Sequence, residues 1–161
     1  MTDFNTDELA GAVRGGIVKP GDESYDQARA VWNGRFDRRP ALIARCLSTA
    51  DVAAAVRVAL EHYLEISVKS GGHAYAGNTV GEGGLLIDLG QMTDVSVDPE
   101  ARIAAVSAGA RWKDVDGATQ GHGLATPGGT VSDVGVAGFT LCGGARWLTP
   151  KHGLAVDNLV G

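Results

Sequence analysis

Glycine is spread unevenly along the chain, and this constrains the fold more than any other feature. Of 161 residues 24 are glycine, about twice the usual ~7%, and 19 of them lie between Gly71 and Gly161. Glycine adopts positive φ and lets the backbone approach a ligand closely. The second half is therefore expected to form loops around a flat or anionic ligand, although a turn-rich β domain would have a similar composition.

The first half carries the patterns of helices and strands. Residues 6–13 and 25–31 are predicted to be short helices of a docking arm spanning 1–35, with a turn at Pro20–Gly21 between them. Residues 41–46 and 66–69 are apolar runs typical of strands. Because the segment between these strands is long enough for a crossover helix, residues 41–69 are predicted to form a β-α-β unit with parallel pairing.

The crossover helix has a recognisable start. Ser48 is followed three residues later by Asp51, as in a capping box, and the helix is expected to run to about residue 63. Arg57 and Glu61 are expected to face water. The apolar residues that recur at three- and four-residue steps are predicted to form the buried face, namely Val52, Val56, Ala59, Leu60 and Tyr63.

Beyond the loop SGGHAYAG the pattern changes to short strands. Residues 84–89, 95–98 and 103–108 are predicted to form a mixed sheet, with a Pro99-containing turn at 98–101. A helix over 111–120 leads into the Gly-rich stretch. The expected fold class is α/β, with a β-α-β subdomain over about 36–96 followed by the start of a second, β-rich subdomain.

Composition and charge exclude several classes of protein. A net charge of −5 argues against binding to a nucleic-acid backbone, which usually requires a basic patch. No window approaches the roughly 18 consecutive apolar residues of a membrane helix, and the acidic start MTDFNTDELAG is unlike a signal peptide. Cys46 and Cys142 form no CxxC pair, so free thiols and a cytoplasmic location are expected. The four histidines lack the short spacings of a metal site, and no metal is predicted.

The loop Ser70–His73 is the first candidate site. Both the GxGxxG fingerprint and the Gly-Lys of a phosphate-binding loop are absent from the chain. Consecutive N–H groups without bulky side chains can nevertheless form an anion-binding concavity after a strand, of a size that suits a pyrophosphate. A two-glycine turn is also common for purely structural reasons, and a lone histidine is more often structural than a ligand.

Two long strings, VKSGGHAYAGNTVGEGGLLIDL and GATQGHGLATPGGTVSDVGVAGFTLCGGARWLTPKHGLAVDNLVG, together resemble a known family. They are similar to the FAD-binding domain, of the PCMH type, of the vanillyl-alcohol-oxidase superfamily, and within it to berberine-bridge-enzyme-like and nicotine-oxidase-like oxidases. The resemblance runs from about Phe4 to Gly161. It implies an FAD-binding domain over 36–161.

The resemblance also assigns roles to residues. It implies that Ser70, Gly71 and Gly72 wrap the FAD pyrophosphate beside Lys69, and that His73 is joined covalently to the flavin ring. A neutral imidazole nitrogen is a competent nucleophile for such a bond. The second Gly-rich segment is implied to supply backbone contacts along the flavin and to end in a buttressing motif, whose alternative interpretation is a helix end and turn. These residues are Gly129, Thr130, Gly135, Val136, Gly138, Gly143, Gly144, Gly153, Asp157 and Asn158.

Four positions depart from the family pattern. Val131 replaces a cysteine that gives some relatives a second flavin link, so a single link is expected. Cys142 and Arg146 stand where glycine is usual, and Arg146 would either stabilise an anionic reduced flavin or block the site. Lys69 replaces a frequent arginine, which keeps the charge but loses the fork geometry.

The family's chains continue beyond the position of Gly161 into further strands and a substrate domain. The catalytic base and the small-molecule substrate are therefore unknown, and exposed sheet edges are expected to favour self-association. The resemblance implies hydride transfer from a substrate C–H bond to FAD and reoxidation by dioxygen, giving hydrogen peroxide. Two alternatives stay open, a truncated non-catalytic remnant that binds flavin and a module that binds another anion at the SGGH loop.

Overall fold

The computed structural model describes residues 6–160 and divides the chain into two compact units, 1–91 and 92–161. The first five residues of the predicted arm, and Gly161, lie outside the described residues. Each unit has its own sheet. The elements in chain order are α1 (Thr6–Ala12), β1 (Ile17–Val18), α2 (Tyr25–Arg29), β2 (Leu42–Arg45), α3 (Thr49–Glu61), β3 (Ile66–Lys69), β4 (Leu85–Asp88), β5 (Val95–Asp98), β6 (Ile103–Val106), α4 (Trp112–Gln120), α5 (Val136–Leu141), α6 (Thr149–His152) and a 3-10 turn (Val156–Asn158).

The sheet of the first unit has the strand order β1-β2-β4-β3. β4 pairs in parallel with both β2 and β3, while β1 joins the outer edge of β2 antiparallel. The two strands of the predicted β-α-β unit, β2 and β3, are parallel in this sheet, but their predicted pairing with each other is wrong, because β4 lies between them. Leu85, Leu86 and Ile87 of β4 form a continuous buried apolar run, as is typical of central parallel strands. In the edge strand β3, by contrast, Val68 is exposed to solvent.

The position of β4 shows that the predicted mixed sheet of residues 84–89, 95–98 and 103–108 is wrong. Residues 85–88 belong to the first sheet, and only β5 and β6 pair with each other, as an antiparallel hairpin in the second unit. The predicted turn joins these two strands. Asp98 Oδ1 accepts hydrogen bonds from the N–H groups of Glu100 and Ala101 at 3.0 and 2.9 Å, and these bonds fix the turn.

Helix α3 starts as predicted but buries only part of the predicted face. Ser48 Oγ accepts a hydrogen bond from the Asp51 N–H at 3.3 Å, which caps the helix. The buried stripe is Asp51, Ala55, Val58 and Ala59. Of the predicted face, Ala59 is buried as expected and Val52 and Val56 are half-buried, whereas Leu60 is 66% exposed and Tyr63 is 96% exposed.

The reason for this error is that small residues decide the packing. Ala55 and Ala59 are fully buried, and their short side chains allow close approach to the rest of the unit. The helix ends at Glu61, and Tyr63 has a φ of +55°. Tyr63 therefore lies outside the helix and does not continue its face.

The core of the first unit joins α2 to the sheet. A buried cluster consists of Val18, Tyr25, Ala28, Ile43, Val80 and Leu86. The Tyr25 hydroxyl donates to the buried Pro40 carbonyl at 2.7 Å, so the ring packs in the core with its polar end satisfied. Through Val80 and Leu86 the cluster includes the chain that follows the 70–73 loop.

Candidate functional site

The loop that follows β3 has the geometry of an anion-binding turn. Gly72 has a φ of +72°, a conformation that favours glycine. Within residues 6–160, the N–H groups of Gly71, Gly72 and His73 donate no hydrogen bond to another protein group. The Ser70 hydroxyl is buried and finds no hydrogen-bond partner among the same residues.

These groups fit a phosphate of FAD. Buried polar groups normally have partners, and a phosphate oxygen accepts hydrogen bonds from both hydroxyl and N–H groups. Three available N–H donors and one orphaned hydroxyl within four consecutive residues provide the donors that an anion needs. These donors suit the loop to bind a phosphate without the help of a cationic side chain.

Lys69 has a different place from the one expected of a phosphate ligand. Its ammonium group donates to the Ala28 carbonyl and lies 4.0 Å from Asp88 Oδ2. Its side chain is largely buried, at 13% exposure. Lys69 therefore links the ends of α2, β3 and β4, and its charge already has a carboxylate nearby.

His73 is held by an aromatic residue that the sequence did not single out. The indole of Trp32 stacks on its imidazole, with ring centroids 5.6 Å apart and 21° between the planes. Tyr75 meets the edge of the same indole at 5.6 Å. No pattern in the sequence connects Trp32 with a loop some forty residues later, so only the folded chain reveals the contact.

In the second unit, the Gly-rich segment packs against Trp112 of α4. A Cβ at Gly128 or Gly129 would lie 2.7 or 2.6 Å from the indole, so both positions require glycine because of the protein's own packing. Trp112 is buried, and its Nε1 has no hydrogen-bond partner among the described residues. This orphaned donor lies beside the segment that was expected to hold the flavin.

The following loop is tied to the start of α4. The Val136 N–H donates to Ala110 O at 2.9 Å, so this predicted contact to the cofactor is already used within the protein. Asp133 accepts hydrogen bonds from Lys113 and Arg111 at 3.1 and 3.0 Å. These two cations hold the pKa of the Asp133 carboxyl below its usual range.

The other glycines of this segment differ in their surroundings. Gly135 is buried and precedes α5, whereas a Cβ at Gly138 would meet nothing within 4 Å. Thr130 is exposed. Gly143 and Gly144 have φ values of +99° and +71°, and their carbonyls accept from the N–H groups of residues 156 and 155.

The motif at 153–158 forms a self-contained turn. Asp157 accepts from the Leu154 N–H at 2.8 Å, and Asn158 Nδ2 donates to the His152 and Leu154 carbonyls at 3.0 and 2.8 Å. Gly153 supplies a φ of +78°. The contacts thus describe the helix end and turn that the sequence left open, and any role beside flavin stays a prediction.

The structure also shows what surrounds the residues that depart from the family pattern. The Arg146 guanidinium lies 5.2 Å from the centre of the Phe139 ring and donates to Ala145 O at 2.7 Å. Cys142 is exposed at the end of α5, and Val131 is exposed as well. Arg146 is therefore engaged by its own unit through a cation–π contact.

No helix within 6–160 has both the length and the apolar character that a membrane crossing needs. No group of three or more His, Cys, Asp or Glu side chains in that range is arranged to hold a metal ion.

Comparison with known proteins identifies the class. A family model described as an FAD binding domain matches residues 40–161. The chain is 41% identical over 150 residues to (R)-6-hydroxynicotine oxidase of Paenarthrobacter nicotinovorans, a match that covers 93% of this chain and 33% of that protein.

Solved structures agree with this match. The crystal structure of 6-hydroxy-D-nicotine oxidase from Arthrobacter nicotinovorans superposes with a TM-score of 0.87 at 41% identity, covering 90% of this chain and 32% of that one. A Physcomitrella patens BBE-like 1 variant gives 0.87 at 30% identity, covering 94% and 33%. The chain spans about a third of the length of these relatives.

The chain belongs to the FAD binding domain family. The predicted α/β fold of the PCMH type, and the resemblance to nicotine-oxidase-like and BBE-like flavoproteins, are confirmed. Its relatives are FAD-linked oxidoreductases and oxidases.

Proposed function

We propose that this chain is the FAD-binding part of a covalent flavoprotein oxidase. The observation that carries the proposal is the 70–73 loop, where an orphaned hydroxyl and available N–H groups lead directly to a positioned histidine. In the first unit we assign Ser70, Gly71 and Gly72 to the FAD pyrophosphate. Lys69 is assigned to supporting this loop through its contacts with Ala28 and Asp88.

In the second unit we assign the Gly-rich segment to the flavin and ribityl chain. Backbone at Gly129, Thr130, Gly135 and Gly138 would lie along the cofactor, and Val136 would contribute its side chain because its N–H is already bonded. The remaining residues are assigned to the wall and its support, namely Gly143, Gly144, Gly153, Asp157 and Asn158.

We assign the covalent attachment of FAD to His73. Formation of the bond between an imidazole nitrogen and the methyl carbon of the flavin ring replaces one N–H and one C–H bond. The two electrons and two protons released in this step would reduce dioxygen to hydrogen peroxide. A tethered cofactor cannot dissociate, which suits repeated turnover.

For the whole protein we propose an oxidase reaction. When bound, FAD would supply the hydride acceptor for a substrate C–H bond, and dioxygen would take up the electrons to give hydrogen peroxide. Relatives of the chain include an (R)-6-hydroxynicotine oxidase and a glucooligosaccharide oxidase, which supports this reaction class. We assign no substrate and no catalytic base to the residues of this chain. Its two free cysteines favour a cytoplasmic location.

The test is whether flavin stays with the denatured protein. The parent, His73→Ala and a control, His122→Ala, are expressed with FAD available, and their absorption spectra are recorded. Each is then precipitated with acid and examined by in-gel fluorescence. His122 is exposed and belongs to no assigned site, so its variant should behave like the parent.

We expect the parent and His122→Ala to keep flavin after precipitation and His73→Ala to lose it. Flavin that remains with His73→Ala would contradict the assignment of the attachment point. A colourless parent would contradict the proposal of FAD binding by this chain.

A further inference from the structure

Trp32 is an exposed tryptophan in an organised setting. Its side chain is 59% exposed, although large apolar side chains gain free energy from burial. The ring nevertheless makes two aromatic contacts, a stack on His73 and an edge contact with Tyr75. An exposed ring that stacks on the proposed attachment residue indicates a role beyond packing.

The backbone holds this arrangement in register. The Trp32 N–H donates to the Gly72 carbonyl at 3.0 Å. The neighbouring Asn33 donates from Nδ2 to the Tyr75 carbonyl at 3.1 Å. Two hydrogen bonds, one on each side of His73 in the loop, therefore fasten residues 32–33 to residues 72–75.

The stack limits the directions in which the imidazole can point. One face of the His73 ring is covered by the indole, so rotation about its side-chain bonds must break the aromatic contact. The uncovered face and the ring nitrogens stay available to a ligand. A fixed ring matters because small displacements of a reacting group cost large factors in rate.

We propose that Trp32 is a positioning residue for flavin attachment, which holds the His73 imidazole at the angle from which its nitrogen forms the bond to the flavin methyl carbon. The inference rests on the proposed covalent function of His73. Trp32 takes no part in the exchange of electrons and protons with dioxygen described above. Its effect is on the rate of bond formation and not on the affinity for FAD.

The experiment follows attachment over time in the complete protein. FAD-free parent, Trp32→Ala and Trp32→Phe are mixed with FAD at several concentrations, and acid-stable flavin is measured at intervals. Trp32→Phe keeps an aromatic face against His73. Tyr63→Ala is the matched control, because it truncates a ring in the same unit that is 96% exposed.

A second measurement is independent of flavin. The NMR signals of the His73 ring protons are recorded in the FAD-free chain, where the stacked indole should displace them through its ring current. The displacement should vanish in Trp32→Ala and persist in part in Trp32→Phe. A merely structural role for Trp32 would not link this signal to the rate of attachment.

We expect Trp32→Ala to bind FAD at the parent's half-saturating concentration and to attach it about tenfold more slowly at saturation. Trp32→Phe should stay within about threefold of the parent and Tyr63→Ala should match it. If Trp32→Ala loses its circular-dichroism signal, Trp32→Leu takes its place with the same expectation.

Two results would overturn the inference. Attachment by the alanine or leucine variant at the parent's saturating rate would show that the stack has no positioning role, while leaving the proposed function intact. A parent without acid-stable flavin would overturn both the inference and the covalent function on which it rests.

Discussion

The two consecutive glycines after α5 allow a quantitative test of the second unit. Gly143 and Gly144 both have positive φ, which costs an ordinary L-residue about 1–2 kcal/mol. They differ in the space around an added methyl group. At Gly143 the nearest atom is Leu154 Cδ1 at 4.0 Å, whereas at Gly144 the Ala155 Cβ and Phe139 Cε1 both lie at 2.6 Å.

Alanine at each position therefore separates two costs. Gly143→Ala should lower the free energy of unfolding by about 1–2 kcal/mol, from the backbone conformation alone. Gly144→Ala adds overpacking, typically ~1–3 kcal/mol, for a total of about 2–5 kcal/mol. Gly117→Ala is the control, because Gly117 lies within α4 with nothing within 4 Å of its Cβ, and it should stabilise by about 0.5–1 kcal/mol.

The assay is urea unfolding followed by tryptophan fluorescence. A Trp32→Phe background, common to all variants, leaves Trp112 and Trp147 as reporters of the second unit. An equal loss of unfolding free energy in Gly143→Ala and Gly144→Ala would refute the predicted steric overlap at position 144. Stabilities of both within about 0.5 kcal/mol of the parent, while the control gains stability, would refute the reasoning from backbone conformation as well.

Two further predictions concern titratable groups. Burial raises the pKa of the Cys46 thiol to about 11, whereas Cys142 is exposed. A thiol reagent at pH 8 should therefore modify one cysteine in the native chain and two in denaturant. Modification of both cysteines in the native chain would contradict this prediction. The Leu47 N–H donates a hydrogen bond to the Asp51 carboxylate and lowers the pKa of that carboxyl. The ionised Asp51 therefore stabilises the fold above the unfolded pKa of ~3.9, and this stabilisation is lost as pH falls through the folded pKa. Asp51→Asn should be less stable than the parent at pH 7, and their unfolding curves should converge in acid; a difference independent of pH would exclude this linkage.

The sequence was informative where local chemistry decides the structure. Strand β3 has the predicted bounds 66–69, and the Asp98 turn and the Ser48 cap form as their side chains dictate. Each of these features depends on residues a few positions apart. Their energetics are contained within a short segment, which is what pattern reasoning can judge.

Errors arose where distant segments compete for the same place. The central position in the sheet goes to β4 because its apolar run suits burial on both faces better than β3 does, and no local pattern shows this competition. The face of α3 was misjudged because Ala55 offers close approach, whereas larger residues such as Leu60 were expected inside.

The candidate site divides in the same way. The loop at residues 70–73 could be found from its composition and position, and the resemblance added a role for His73. Trp32 could not be found, because its contact with His73 joins two segments that are far apart in the sequence. The use of Lys69 and of the Val136 N–H within the protein likewise appears only in three dimensions.

The position of β4 has a consequence for how the first unit folds. β4 comes last in its sheet along the chain but lies in the middle of it, and residues 70–84 connect it to its neighbour β3 without a helix. The sheet cannot form as a series of hairpins, because its central strand pairs only after this glycine-rich connection has closed. Closing the connection costs conformational entropy, and that cost depends on the residues of the connection. Substitutions around His73 are therefore expected to change the refolding rate and the yield of the protein as well as its chemistry.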